Sequence, residues 1–210
     1  MVVVSRSCSG RHAGPAAPSN DCAVARPAIC DLSRRGAVRR ETMSRLFLLR
    51  HAKAEWAEPG QRDFDRALAA SGIEDAKALA ANMVAHDLIP GKVICSSAVR
   101  ARQTLEAINT VHDLAGIASY DQNLYATDAP GYLEVAAKSG FDDGLMLIGH
   151  NPMLEDVAMA LSAEGDDALV GELQMGFRTA GLAVIDLDAP MSAVETQRGR
   201  LVAYLTPQDG

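Results

Sequence analysis

The sequence predicts an α/β fold, a three-layer α/β/α sandwich around a mostly parallel central sheet. Three observations point there. First, Leu46-Phe47-Leu48-Leu49, Val93-Ile94-Cys95 and Leu145-Met146-Leu147-Ile148 are short, uninterrupted apolar runs. They fit strands covered by helices on both faces, not strands with one wet face, which alternate. Second, stretches with apolar residues at helical spacing separate these runs. Third, each run leads into a cation or an imidazole: Arg50-His51, then Arg100 shortly after Ser96, then His150. Open α/β sheets bind ligands beyond the carboxyl ends of their strands. Two guanidiniums and two imidazoles gathered at that edge suit a tetrahedral anion.

Bulk properties narrow the class. The chain has 210 residues, 48% hydrophobic and 22% charged, enough for one domain with a real core. No apolar run reaches the roughly 20 residues of a membrane helix, so no membrane partner is expected. Net charge is −7; residues 1–42 hold seven Arg and three acidic residues, leaving 13 basic and 24 acidic residues, net −11, in the remainder. An acidic body argues against nucleic acid, which needs a basic footprint. An anionic substrate must be caught by a local cation cluster. Cys8, Cys22 and Cys30 lie in the amino-terminal stretch without metal-ligand spacing, and Cys95 sits within a strand run. One body cysteine cannot form an internal disulfide, which fits a reducing cytoplasm.

Residues 1–42 are rich in Ala, Arg, Ser, Pro and Gly without any sustained period, and read as a disordered extension. Met43 directly precedes the first strand, so the extension reads as a start assigned too early or as a targeting segment. The domain is placed at 43–210.

The elements follow in order. Glu58-Pro59-Gly60 marks a loop over 55–70. Ser71 and Glu74 have capping-box spacing, opening a helix over about 72–87 with Ile73, Ala76, Ala80, Met83 and Val84 inward. Ile89-Pro90-Gly91 ends it, and a strand spans 92–96. The next helix is predicted over 98–114, with Ala101, Leu105, Ile108 and His112 inside. Arg100 and Arg102, two apart, point opposite ways, so only Arg100 turns toward the strand end. A strand is expected at 117–120, a loop over 124–130 and a helix over 130–138. Asp142-Asp143-Gly144 turns into the strand 145–149. Asn151 and Pro152 read as N-cap and N1 of a helix carrying Leu154, Val157, Ala158 and Leu161. Residues 164–178 give no clear signal. Late strands are read at 182–187 and 201–205.

Taken together, Arg50-His51 after a strand, Ser96 four residues before Arg100 with Gln103-Thr104 beyond, and Gly149-His150-Asn151-Pro152 resemble the histidine phosphatase (phosphoglycerate mutase-like) superfamily. Arg50-His51-Ala52-Lys53-Ala54-Glu55-Trp56, Asp65-Arg66-Ala67-Leu68 with Gly72, and Arg178-Thr179-Ala180-Gly181-Leu182-Ala183-Val184 are similar to its SixA-like phosphohistidine phosphatase branch. The resemblance covers about residues 44 to 206. It implies the phosphoglycerate mutase-like fold and a covalent phosphohistidine on His51, with His150 donating to the phosphoryl oxygens. It also implies no cofactor or metal, and a phosphorylated partner, in that branch a phosphohistidine-bearing protein.

The chemistry agrees with that picture. Phosphoryl transfer is mostly positioning and charge stabilisation. Arg50 and Arg100 offer planar forks that stay charged, an imidazole can attack phosphorus, and a dianion would favour a protonated His150. Lys53, Arg66 and Asn151 are candidate substrate contacts, Arg66 with the better family support. The general acid found in many members after the third strand has no motif here; Asp128 and Glu55 are the candidates. A phosphoramidate, whose leaving nitrogen can already be protonated, needs none. Three alternatives stand beside this: a small-molecule phosphomonoesterase, a non-catalytic phosphate-binding module, and a metal site on His51 and His150.

Overall fold

A computed structural model describes residues 44–162, 164–196 and 198–209; the expected extension over 1–42, and Met43, lie outside the described residues. Among the described residues seven strands form one sheet: β1 (Ser44–Arg50), β2 (Lys92–Ser96), β3 (Ala118–Asp121), β4 (Leu145–Gly149), β5 (Glu164–Gly165), β6 (Leu182–Leu187) and β7 (Gly199–Leu205). Their spatial order is β3-β2-β4-β1-β6-β7-β5. β1, β2, β3 and β4 run parallel to one another, β6 is antiparallel to both β1 and β7, and β5 pairs parallel with β7. The sheet is thus mostly parallel, as the apolar runs predict.

The helices are α1 (Ala70–Ala85), α2 (Val99–Asn109), α3 (Asn123–Ala126), α4 (Ala129–Ser139), α5 (Met153–Leu161) and α6 (Asp167–Gln174). Successive side chains of a strand face opposite ways. Phe47 and Leu49 accordingly join a core with Ala76, Leu79 and Met83 of α1 and Leu105 and Ile108 of α2. Leu46 and Leu48 join a second core with Ala136 of α4, Leu154 and Val157 of α5 and Leu173 of α6. The three layers follow from this: both faces of β1 are apolar because both are covered. Each fully buried Leu contributes about 1.5–3 kcal/mol.

The structure corrects several element expectations. α1 starts at Ala70 with Ala69 as N-cap and no side-chain cap. Ser71 lies inside its first turn and Glu74 just beyond it, where Glu74 pairs with Lys77 at 2.9 Å. The entry is set instead by burial of Leu68 and Ala69 and by the bond from Ala69 N–H to the Lys53 carbonyl, 2.9 Å. Gly72, Ala76, Leu79, Ala80 and Met83 face inward, leaving Ile73 and Val84 37% and 50% exposed. Small residues turn inward because the helix approaches the chain after β1 closely: a Cβ on Gly72 would lie 2.2 Å from the Lys53 carbonyl oxygen.

α2 ends at Asn109, where side chains take over the backbone partners. Thr110 Oγ1 donates to the Ala107 carbonyl at 2.7 Å, and Asn109 Oδ1 accepts from Leu114 N–H at 3.0 Å. His112 is therefore beyond the helix, half-buried. The loop expected over 124–130 holds α3, and the unclear stretch 164–178 holds β5 and α6, capped by Asp166 through Ala168 N–H at 3.0 Å. β7 begins two residues before the expected start.

In a helix interior Gly→Ala ordinarily gains about 0.5–1 kcal/mol. At position 72 the sign reverses: Gly72→Ala is expected to lose about 1–3 kcal/mol, read as a lower urea midpoint at unchanged slope. A midpoint at or above the parent's would show that α1 does not press on the Lys53 carbonyl.

Candidate active site

Arg50 ends β1, His51 and His150 directly follow β1 and β4, and Arg100 lies in the first turn of α2 beyond β2. The Arg50 N–H donates to the Gly181 carbonyl at 3.0 Å and the His51 N–H to the Gly149 carbonyl at 3.1 Å. The chain leaving β1 is thus stitched to the end of β4 on one side and to the segment before β6 on the other. His51 Nδ1 lies 2.8 Å from the Ala52 carbonyl oxygen. A carbonyl only accepts, so this nitrogen carries the proton and Nε2 keeps its lone pair. Arg100 donates from Nε to that lone pair at 3.1 Å.

Arg100, 6% exposed, sits in the first turn of α2. Its fork is clamped by Asp63 in a 3₁₀ turn (Asp63–Asp65). Nη1 donates to the Asp63 carbonyl at 2.6 Å and Nη2 to Asp63 Oδ2 at 2.9 Å. Thr104, one turn on, donates to the Arg100 carbonyl at 2.7 Å and accepts from Ala52 N–H at 3.0 Å, which ties α2 to the residue after His51. Arg66 reaches the other oxygen of Asp63, Nη1 to Oδ1 at 2.8 Å, and its Nε donates to the Glu55 carbonyl at 2.9 Å.

His150 is 4% exposed. Its N–H donates to the Tyr132 hydroxyl at 3.0 Å, and Nε2 lies 2.9 Å from Ser96 Oγ. Nδ1 is buried with no protein partner. Where the Ser96 hydroxyl donates to Nε2, the neutral ring carries its proton on Nδ1. The rings of His51 and His150 are 5.0 Å apart between centroids. Arg50 donates from Nη1 to the Phe177 carbonyl at 2.5 Å, while its buried Nε is unpartnered.

A cleft of about 480 Å³ is lined by Arg50, His51, Arg100 and His150, and by Lys53, Arg66 and Asn151. The seven residues expected to be catalytic or to contact substrate border one space. Asn151 is not the N-cap expected of it: its Nδ2 donates to Glu155 Oε2 at 2.8 Å and to the Phe177 carbonyl at 3.3 Å, and α5 has no side-chain cap. Neither acid candidate borders the cleft. Asp128 is the N-cap of α4, accepting from Gly131 N–H at 3.0 Å; Glu55 contributes its carbonyl to Arg66. Sequence reasoning missed Asp63 as the clamp, along with Tyr125, whose hydroxyl donates to Asp63 Oδ2 at 3.2 Å and whose ring meets His150 edge-on at 5.6 Å. The one available signal was Asp63 three residues before Arg66, a spacing that pairs them on a turn.

Burial among cations pushes the imidazoles down. His51 is lowered to about 4, by desolvation first, then by Arg100, Arg50 and Arg66, against the Ala52 carbonyl. His150 is lowered to about 3, by desolvation, then His51, Arg100 and Arg50, against Asp63. The free site thus holds a neutral His150; protonation there has to be driven by a bound anion. Asp63 is held at about 2, chiefly by its bond from Arg66, with Arg100 and Tyr125 adding. Among the described residues no group of three or more His, Cys, Asp or Glu could hold a metal ion.

The geometry can therefore present an imidazole lone pair to an electrophile whose oxygens are met by guanidiniums and an imidazole N–H. The family model for the histidine phosphatase superfamily (branch 1) matches residues 46–122. An uncharacterized protein of Mycobacterium tuberculosis is 34% identical over 168 residues, 76% of this chain and 100% of the relative. Among solved structures, SixA from Agrobacterium tumefaciens, a proposed phosphohistidine phosphatase, is 36% identical with a TM-score of 0.65, covering 78% of this chain and 98% of that one. The protein histidine phosphatase SixA complexed with tungstate shares the fold at 23% identity and a TM-score of 0.61, over 78% of this chain and 97% of that one. Likeness in sequence and likeness in fold converge, and the chain belongs to the histidine phosphatase superfamily, within its SixA-like branch.

Proposed function

We propose that this chain is a metal-independent phosphatase that forms a covalent phosphohistidine on His51 and acts on phosphohistidine in a protein. The observation that carries the reading is the His51 tautomer. Its proton is tied to the Ala52 carbonyl, so Nε2 is the nucleophilic nitrogen, and burial keeps it neutral at working pH. Nε2 attacks phosphorus, forming a P–N bond as the bond to the leaving group breaks. The Arg100 N–H that Nε2 accepts in the free site passes to a phosphoryl oxygen, beside Arg50 and His150, which spread the remaining charge. Water then attacks the phosphorus, releasing inorganic phosphate and restoring neutral His51.

The leaving side supports phosphohistidine over an alkyl ester. Asp63, the one carboxylate that borders the cleft among the described residues, is held ionised and cannot donate a proton at neutral pH. An alkoxide would leave unassisted. A phosphorylated imidazole protonated on its other nitrogen departs as neutral imidazole and needs no acid. Lys53 and Arg66 border the cleft as further cations for the substrate. A tetrahedral oxyanion, tungstate, is bound by the SixA relative.

His51→Ala is expected to abolish both turnover of a phosphohistidine peptide and acid-labile labelling of the protein, in single-turnover assays with labelled substrate. Arg100→Ala is expected to lower kcat/KM by about 10²–10³, and EDTA to leave the rate unchanged. Full activity of His51→Ala would sink the covalent mechanism. Loss in EDTA would favour a metal site, and phosphate binding without turnover by the parent would favour a binding module.

The imidazole shifts also set a pH dependence for the free protein. Both folded values lie below the ordinary 6.5, so the unfolded chain takes up protons first as pH falls. The stability is fully present above about 6.5 and is lost as pH drops toward about 4 for His51 and about 3 for His150. Asp63 adds a loss in the same direction between 3.8 and about 2. Melting temperature is expected to fall from pH 7 to pH 4.5, and to fall less in the double variant His51→Asn, His150→Asn. Equal slopes in the two proteins would contradict the assignment.

A further inference from the structure

We infer that Trp56 is a specificity-determining residue: its indole is the platform on which the leaving ring of the substrate stacks, so the site prefers a phosphorylated, protonated imidazole to an aliphatic phosphate. This rests on the phosphohistidine reading above. Trp56 is the only tryptophan of the chain. It is 90% exposed and borders the same cleft as Arg50, His51, Arg100 and His150. A single exposed apolar residue is usually unremarkable, but this one is not on a loose loop. Ala54 bridges to Leu68, Glu55 N–H donates to the Ala67 carbonyl at 2.9 Å, and Ala69 N–H donates to the Lys53 carbonyl at 2.9 Å. Arg66 Nε bonds the Glu55 carbonyl at 2.9 Å. The backbone immediately before Trp56 is pinned, while the ring is left in water.

The cleft otherwise offers a leaving group little apolar surface. Beyond the phosphate anchors it is bordered by Lys53, Asp63, Arg66, Asn151 and Thr179, with Ala54 small. Among the described residues that border the cleft, the indole is the broadest face. A flat ring laid on it removes apolar area from water on both partners, and indole binds cations better than the other aromatic side chains do. The protonated phosphoimidazole gains both terms. It is also the form that leaves without an acid, so the platform selects the state ready to react. An acyl or alkyl phosphate gains neither.

The test compares the full-length parent with Trp56→Ala on a phosphohistidine peptide and on acetyl phosphate. KM for the peptide is expected to rise about tenfold, acetyl phosphate turnover to stay within about twofold, and Trp56→Tyr to recover most of the loss. Trp56 is the sole indole, so its emission is a second readout. In the His51→Ala protein it is expected to shift with phosphohistidine peptide and not with inorganic phosphate. Equal losses on both substrates, an unchanged peptide KM, or emission blind to the peptide would each overturn the platform. If the parent cleaves the peptide and Trp56→Ala matches it, the platform falls and the phosphohistidine reading stands. A parent inert toward the peptide but active on acetyl phosphate would remove the reading itself.

Discussion

Arg100 donates to His51 Nε2, and that bond exists only while the nitrogen is unprotonated. Much of the site serves this condition. The Ala52 carbonyl takes the proton on the opposite nitrogen, burial disfavours a charged ring, and the guanidiniums nearby repel a second proton. Two arginines this close would repel each other as well. Asp63 offsets that by giving one carboxylate oxygen to Arg66 and the other to Arg100. It lowers the local positive charge without competing for the imidazole, and it fixes the Arg100 fork so that Nε, not a terminal nitrogen, faces His51. An Asn in its place would keep a shape but leave the pair of cations uncompensated.

The sheet supplies the alignment. In the parallel pairing of β1 with β4, Arg50 lies abreast of Gly149, so the next residues, His51 and His150, emerge side by side. β2 pairs with β4 with Cys95 abreast of Ile148, which carries Ser96 to the same edge, within reach of His150 Nε2. Gly149 is required there. A Cβ would stand 2.3 Å from the Tyr132 hydroxyl, and that hydroxyl both accepts from His150 N–H and donates to the Leu124 carbonyl, at 3.0 and 2.6 Å. The absence of one side chain thus makes room for the group that orients the second imidazole.

How much of this could be read in advance depends on the kind of signal. Strands buried on both faces announce themselves as plain apolar runs, and the residues just past them inherit a location from the fold class. That is why Arg50, His51, Arg100 and His150 could be grouped from sequence. Asp63 and Tyr125 lie on a turn and a four-residue helix, where no periodicity marks a role and the partner is set only by chain crossing. Local motifs misled where tertiary contact won. The Ser71–Glu74 spacing lost to the burial of Leu68, and Asn151 was drawn to Glu155 and Phe177. Asp128 was misplaced for a different reason. Asp128-Ala129-Pro130-Gly131 has the pattern of a helix start, and reading that pattern would have removed it as an acid.

The charge distribution bears on how the proposed site would take up an anion. The body of the chain is net −11, so an anion is not drawn in by the overall field. In the proposed site an anion would instead meet Arg50 and Arg100, part-buried and buried, where each interaction is stronger than at a surface. Both imidazoles are neutral in the free site, so the positive charge available on arrival belongs to Arg50, Arg100, Arg66 and the exposed Lys53, less that of Asp63. A phosphoryl dianion next to His150 reverses the balance that lowers its pKa, since the largest opposing cost, desolvation of a lone cation, is repaid by the anion itself. In the proposed reaction, proton uptake and phosphate binding are linked at that one ring, while His51, tied by its Nδ1 proton to a carbonyl, keeps the Nε2 lone pair. The two histidines look alike in sequence; the partner of one nitrogen on each ring separates their roles.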